Sequence, residues 1–131
     1  MIRVNVFCQR SLRSRAALVS IALAASALVV QAQVFSAPKN LSNNGTAEFG
    51  QIAVDPSGNI NVVWDESGNF DIFFSRSTDG GVTFSTPKNL SNNAGSSVFP
   101  QIAVDSSGNI NVVWEDSTPG NVNIFFCHSN I

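Results

Sequence analysis

The sequence predicts an all-β fold made of repeated, four-stranded antiparallel units. Three observations carry this prediction. One stretch that ends in tryptophan occurs twice with a single difference, as Gln51–Trp64 and Gln101–Trp114. In both copies, short apolar runs alternate with turns rich in Gly, Asn and Ser. No stretch after the first 32 residues has a helical period of apolar side chains.

The N-terminal segment, residues 1–32, predicts a helical signal peptide. Its basic residues precede an apolar run at residues 16–30, and Val30-Gln31-Ala32 then offers small residues to a signal peptidase. The basic residues are Arg3, Arg10, Arg13 and Arg15. Cleavage after Ala32 predicts a secreted, periplasmic or cell-surface protein. The alternative is an uncleaved anchor, although a bilayer span needs about 20 apolar residues. Membrane contact is expected only through this segment.

The remaining segment is acidic, because it keeps all nine carboxylates but only Lys39, Arg76 and Lys88 as basic residues. This balance argues against nucleic acid as a partner. Cys8 leaves with the signal peptide, so Cys127 has no partner for an internal disulfide.

Shorter stretches repeat as well. Residues 38–44 recur as residues 87–93, and residues 72–74 recur as residues 124–126, so that the offset drifts from 49 to 52. A period near 50 residues with several strands per unit is typical of a β-propeller blade. We expect residues 33–131 to form a partial propeller. Its parts are a last strand and linker of a preceding blade (33–48), a complete blade (49–97) and a truncated blade (98–131).

Four strands are expected in the complete blade. They are about Phe49–Val54, Ile60–Trp64, Asp71–Ser75 and Val82–Thr86, the last ended by Pro87. Val34–Leu41 resembles a fourth strand without its first three. About eight strands make two blades, whereas a closed propeller needs about four to eight. The ring therefore requires further blades or further copies, and we favour a truncated piece of a longer protein.

The turn between the last two predicted strands is Ser77-Thr78-Asp79-Gly80-Gly81-Val82-Thr83-Phe84. Adjacent glycines accept positive φ, and the Asp79 and Ser77 side chains can accept backbone N–H bonds across the turn. These residues predict a β-hairpin that is held closed by its own side chains.

The turn resembles the Asp box, or BNR repeat, of sialidase-like β-propellers. The pattern runs Ser/Thr-x-Asp-x-Gly-x-Thr-Trp/Phe, and its fixed places are filled by Ser77, Asp79, Gly81, Thr83 and Phe84. The resemblance implies a structural hairpin between the third and fourth strands of a blade, not a catalytic element. A second box would begin at Ser129, but Ile131 stands where the aspartate belongs.

Sialidases of this family use an arginine triad, a tyrosine nucleophile paired with a glutamate, and an aspartic acid/base. This sequence has no tyrosine, and Arg76 is the one arginine outside the signal peptide. A carboxylate clamp needs several guanidinium forks. No catalytic residue is therefore predicted in this chain.

Acidic residues suggest two further kinds of site. Asp65-Glu66 and Glu115-Asp116 would serve a two-carboxylate glycosidase, but acids in a polar turn are usually solvated. Asp55 and Asp105 precede Gly-Asn turns and would suit Ca²⁺, although capping of the turn explains both copies more simply. No metal and no cofactor is predicted.

Aromatic and thiol side chains offer weaker hypotheses. Trp64 and Trp114 are candidates for stacking on a sugar ring, but burial between blades is the favoured interpretation. Cys127 and His128 are neighbours on a strand, so their side chains point to opposite faces and do not form a dyad.

The predicted function is an exported, non-catalytic repeat module that scaffolds or binds a glycan or an extracytoplasmic protein. The first alternative is a fragment of an exo-sialidase-like glycoside hydrolase whose active site lies in other blades. The second alternative is a structural protein that assembles a ring from several copies.

Overall fold

The computed structural model describes residues 32–43, 45–118 and 120–129, and every regular element in them is a β-strand. All strands lie in the compact unit Ala37–Ile131. They are β1 (Ala47–Val54), β2 (Ile60–Glu66), β3 (Asp71–Ser77), β4 (Lys88–Asn89), β5 (Ser97–Val104), β6 (Ile110–Asp116) and β7 (Asn123–Ser129). The predicted all-β class is confirmed. Residues 1–31 of the predicted signal peptide, and Asn130 and Ile131 of the second box, lie outside the described residues.

The strands form two antiparallel sheets, one of order β1-β2-β3-β4 and one of order β5-β6-β7. The two sheets share one register. Trp64 is opposite Phe73 in the first sheet, and Trp114 is opposite Phe125 in the second. The sequence repeat is therefore also a repeat of the strand pairing.

A bulge interrupts the first strand of each sheet. The register shifts between Glu48 and Gln51 in β1 and between Val98 and Gln101 in β5. Each bulge holds a phenylalanine at positive φ, 46° at Phe49 and 57° at Phe99. The two rings meet edge to face, with centroids 4.7 Å apart, so the repeated bulges bring the two sheets together.

The predicted fourth strand, Val82–Thr86, was wrong. The structure has no strand there and forms the two-residue β4 after Pro87 instead. The reason lies in the preceding turn, where the Asp79 carboxylate accepts both the N–H and the hydroxyl of Thr83. Thr83 is then not available to a ladder with β3. Regular pairing starts at Lys88, which lies opposite Phe74.

The predicted strand at Val34–Leu41 was also wrong, since residues 32–43 contain no strand. The described residues thus hold seven strands rather than eight. A strand needs a neighbour to satisfy its backbone groups, and residues 32–43 have no strand of the two described sheets as a ladder partner.

The two sheets pack face to face. We call leading face the side that carries Val63, Ile72 and Phe74 in the first sheet, and Val113, Ile124 and Phe126 in the second. The trailing face carries Ile52, Val54 and Val62 in the first sheet, and Ile102, Val104 and Val112 in the second. The core joins the leading face of the first sheet to the trailing face of the second. Val63 and Ile72 are completely buried there.

Candidate functional site

The turn at Ser77–Phe84 contains the expected side-chain hydrogen bonds. Ser77 Oγ donates to Asp79 Oδ1 at 2.8 Å and accepts the N–H of Gly81 at 2.9 Å. Asp79 also accepts the Thr83 hydroxyl at 2.6 Å and the Thr83 N–H at 2.8 Å. Bonds from Thr83 and Ser77 lower the pKa of Asp79 to about 2. The carboxylate is fully engaged inside the turn, which suits a structural role. Phe84, the last residue of the pattern, is half-buried.

Arg76 is held by an ion pair. Its guanidinium Nη2 lies 2.8 Å from Oδ2 of Asp55, whose side chain is 1% exposed. Desolvation raises the pKa of Asp55, but bonds from Asn59 and Ser57 and the charge of Arg76 outweigh it and hold the pKa below its ordinary value. Arg76, the residue that could bind a substrate carboxylate, is thus already paired with the Asp55 carboxylate.

Asp55 and Asp105 cap equivalent turns. Asp55 Oδ1 accepts the N–H groups of Ser57 and Asn59, each at 2.9 Å. Asp105 Oδ1 accepts those of Ser107 and Asn109 at 2.8 and 2.9 Å. The same oxygen atoms would be the calcium ligands. Within the ranges that the structure describes, no group of three His, Cys, Asp or Glu residues is placed to hold a metal ion.

Acids of both pairs accept hydrogen bonds within the fold. Asp65, 3% exposed, accepts the Phe99 N–H at 2.9 Å and so joins the two sheets. Burial raises the pKa of Asp65, and the bond from Phe99 partly offsets this. Glu66 accepts the indole N–H of Trp64 at 3.2 Å. The expectation that these acids are solvated is wrong for Asp65, which the second sheet covers, and for Asp116, which is completely buried.

Asp116 is the most heavily bonded carboxylate of the second sheet, and its side chain is completely buried. It accepts bonds from Asn93 at 2.6 Å, Ser97 at 2.7 Å, Thr118 at 2.8 Å and Trp114 at 3.2 Å. Desolvation works against the charge, but the bonds outweigh it and keep the pKa of Asp116 well below its usual range. Asp116 ties the inter-sheet linker to β6, a role that the sequence did not reveal.

Both tryptophans are buried, Trp64 at 3% and Trp114 at 5% exposure. The Trp64 ring stacks on Phe73 at 6.2 Å, and Trp114 lies against Phe125 at 6.0 Å. Trp114 belongs to the core between the two sheets, as expected, whereas Trp64 lies on the trailing face of the first sheet, outside that core. Stacking on a sugar stays a prediction, and it requires an indole face to become accessible.

A cleft of about 270 Å³ opens between the sheets beside β7. Its lining residues are Phe74, Lys88, Asn89, Leu90, Ile110, Val112, Cys127, His128 and Ser129. Burial raises the pKa of the Cys127 thiol, and the charge of Lys88 only partly opposes this. The thiol is therefore a poor nucleophile at neutral pH. His128 stacks on Phe126 on the other side of the strand.

Each of the two outer sheet faces exposes apolar side chains. Ile124 and Phe126, on the leading face of the second sheet, are 70% and 59% exposed. Ile52 and Val54, on the trailing face of the first sheet, are 66% and 58% exposed. Apolar residues on both sides of a strand predict a sheet that is covered on both faces. Here the other sheet covers only one face of each sheet. They are the candidate binding surfaces.

Comparison of the chain with protein-family models, with curated proteins and with solved structures finds no match. Across the described residues, no helix is long and apolar enough to cross a membrane.

Proposed function

We propose that this chain is an exported, non-catalytic repeat module of the sialidase-like β-propeller type. Its two sheets act as stacked blades, and its role is to scaffold or to bind a glycan or a protein outside the cytoplasm. The observation that carries the proposal is the face-to-face packing of two sheets with one register at a sequence offset of about 50 residues.

Two details support the blade interpretation. The Asp-box residues hold a compact turn directly after the third strand of the first sheet, where the family places it. The bulges at Phe49 and Phe99 recur in the first strand of each sheet and lie against each other. Equivalent bulges that meet at the contact between neighbouring repeats are typical of a solenoid or a propeller.

The bonding of Arg76 supports a non-catalytic role. Arg76 is the one arginine that the resemblance could offer to a substrate carboxylate, and its guanidinium is bonded to Asp55. The sequence also lacks the tyrosine that serves these sialidases as nucleophile.

Export is tested by expressing the full chain in a host with a signal peptidase and sequencing the N-terminus of the exported protein. We expect the mature chain to begin at Gln33. Ala32→Arg should block cleavage, because the peptidase pocket accepts only a small side chain before the cut. Ala37→Arg, five residues later, is the matched control and should leave the cut unchanged. Retention of uncleaved wild-type chain in the cytoplasm would contradict the proposal.

The same exported protein separates binding from catalysis. It should release no product from a fluorogenic sialoside, and a glycan array then tests it as a binding module. Sialoside hydrolysis by the purified chain would favour the glycosidase alternative and overturn the non-catalytic role.

A further inference from the structure

The two exposed faces are complementary because of the repeat. Ile124 and Phe126 occupy the positions of Ile72 and Phe74, which the second sheet covers within the chain. On the other side of the molecule, Ile52 and Val54 occupy the positions of Ile102 and Val104, which form the covering surface. The chain thus exposes both halves of an interface that it already builds once.

The polar contact between the sheets can also recur. Within the chain, the Phe99 N–H donates to Asp65 across the sheet boundary at 2.9 Å. Glu115 stands at the position of Asp65 on the exposed leading face, and Phe49 stands at the position of Phe99 in an identical bulge. A carboxylate acceptor and its N–H donor are therefore present on the two outer faces.

The edge of the second sheet is open where the first sheet has a fourth strand. Within the part of the chain that the structure describes, β7 is hydrogen-bonded to β6 alone, whereas the equivalent β3 also pairs with β4. Leu90 extends that contact by donating its N–H to the Ile72 carbonyl at 2.7 Å. An unpaired edge beside an apolar face favours the addition of a strand.

The segment Lys39–Asn43 has the sequence of β4 and the local conformation of the turn that follows β4. It repeats Lys88–Asn92 residue for residue. Asn40 Oδ1 accepts the Asn43 N–H at 3.1 Å, as Asn89 Oδ1 accepts the Asn92 N–H at 2.8 Å. Both turns end in an asparagine at positive φ, 59° and 42°. The segment therefore carries the sequence and the turn of the strand that β7 lacks.

We propose that a second copy of this chain docks head to tail on the second sheet. The trailing face of its first sheet covers Ile124 and Phe126, and its Lys39–Asn43 segment pairs with the β7 edge. The contact reproduces, between two copies, the packing of the two sheets within one chain. Because the two surfaces differ, the interface is heterologous and propagates into a ring or a filament.

The test uses three variants of the full chain, each with a charge on one side of the interface, in light scattering after size-exclusion chromatography. Ile124→Asp blocks the leading face of the second sheet. Ile52→Asp blocks the trailing face of the first sheet, and Leu41→Asp blocks the Lys39–Asn43 segment. The wild-type chain should have a mass above that of the monomer. Each variant alone should be monomeric, because burying an unpaired carboxylate weakens association by about a hundredfold or more.

Mixing shows which surfaces meet. Ile124→Asp retains an intact trailing face, and Ile52→Asp retains an intact leading face, so an equimolar mixture should form a complex of two chains. Leu41→Asp should likewise pair with Ile124→Asp but not with Ile52→Asp. Formation of these complexes also shows that the variants are folded. Ser106→Asp, at an exposed position in the turn between β5 and β6 and on neither outer face, is the control and should associate as the wild type does.

Three results would overturn the proposal: a monomeric wild-type chain, a mixture that stays monomeric, or a variant that still self-associates. The last would point to a contact between like faces or to unspecific aggregation. The experiment needs neither export nor a ligand, so its failure leaves the proposed function untouched, and failure of export or glycan binding leaves the head-to-tail contact untouched.

Discussion

At the scale of single residues, the order of two acids decides how each repeat is used. The first unit has Asp65 before Glu66, and the second has Glu115 before Asp116. The shorter acid is the buried one in both units, but it lies at different positions. Asp65 reaches across to Phe99 on the second sheet, while Asp116 is bonded within its own sheet and linker. Near-identical sequences thus carry two different polar contacts.

Asp116→Ala should destabilise the chain by about 2–4 kcal/mol, because it leaves the buried donors on Ser97 and Trp114 without an acceptor and also removes the part-buried bonds from Asn93 and Thr118. Glu66→Ala is the matched control in the first unit. It removes one bond, from Trp64, at a partly exposed site and should cost less than about 1 kcal/mol. Urea unfolding followed by circular dichroism measures both. Equal losses would mean that the Asp116 network adds nothing.

At the scale of elements, the turn at Ser77–Phe84 determines where the fourth strand starts. The Thr83 N–H, which a regular hairpin would donate to β3, donates to the Asp79 carboxylate instead. The chain rejoins β3 through the Ser85 N–H, which donates to the Arg76 carbonyl at 2.8 Å, and then through β4. The strand is shortened because side-chain acceptors compete with the ladder.

Asp79→Asn should lower the midpoint of thermal unfolding at pH 7, since an amide cannot accept the bonds of Ser77 and Thr83 with both of its ends. The pKa of Asp79 is lowered from 3.8 to about 2, so its stabilising contribution is complete above pH 3.8 and is lost as the pH falls towards 2. The difference between wild type and variant should therefore narrow from pH 4 to pH 2. Thr78→Ala, in the same turn, is the control. A difference that is constant with pH would rule out the ionised carboxylate as its cause.

At the scale of the whole molecule, the interface between the two sheets is closed and the two complementary outer faces are open. The core between the sheets is buried, whereas Ile52 and Val54 on one outer face and Ile124 and Phe126 on the other are mostly exposed. Open apolar faces next to an unpaired strand edge favour aggregation.

We expect the segment after Ala32 to be poorly soluble, and a double variant, Ile52→Asp with Ile124→Asp, to raise its saturation concentration severalfold. Both side chains are mostly exposed, so the added charges should leave the fold intact. Ser106→Asp adds a charge at an exposed turn position outside the faces and should have little effect. Centrifugation across a concentration series measures this. Equal solubility of the wild type and the double variant would show that the faces do not drive association.

Local signals in the sequence predicted the first three strands of each unit and the capping of the Asp55 and Asp105 turns. Alternating apolar residues and Gly-Asn turns act over a few neighbours, so they can be recognised without a structure. The fourth strand at Val82–Thr86 and the strand at Val34–Leu41 were predicted wrongly. Both segments contain residues that favour strands. A strand also needs a neighbouring strand to pair with, and local sequence does not reveal whether the fold provides one.

The sequence alone determined the all-β class, the repeat and the approximate limits of most strands, because hydrophobic periodicity and turn chemistry are local properties. Only the tertiary structure decided which face of each sheet is covered, that Asp65 is buried beneath Phe99, and that Arg76 belongs to Asp55. Asp65 and Phe99 are distant in the chain, and whether a carboxylate is solvated or buried depends on the sheet that is packed against it.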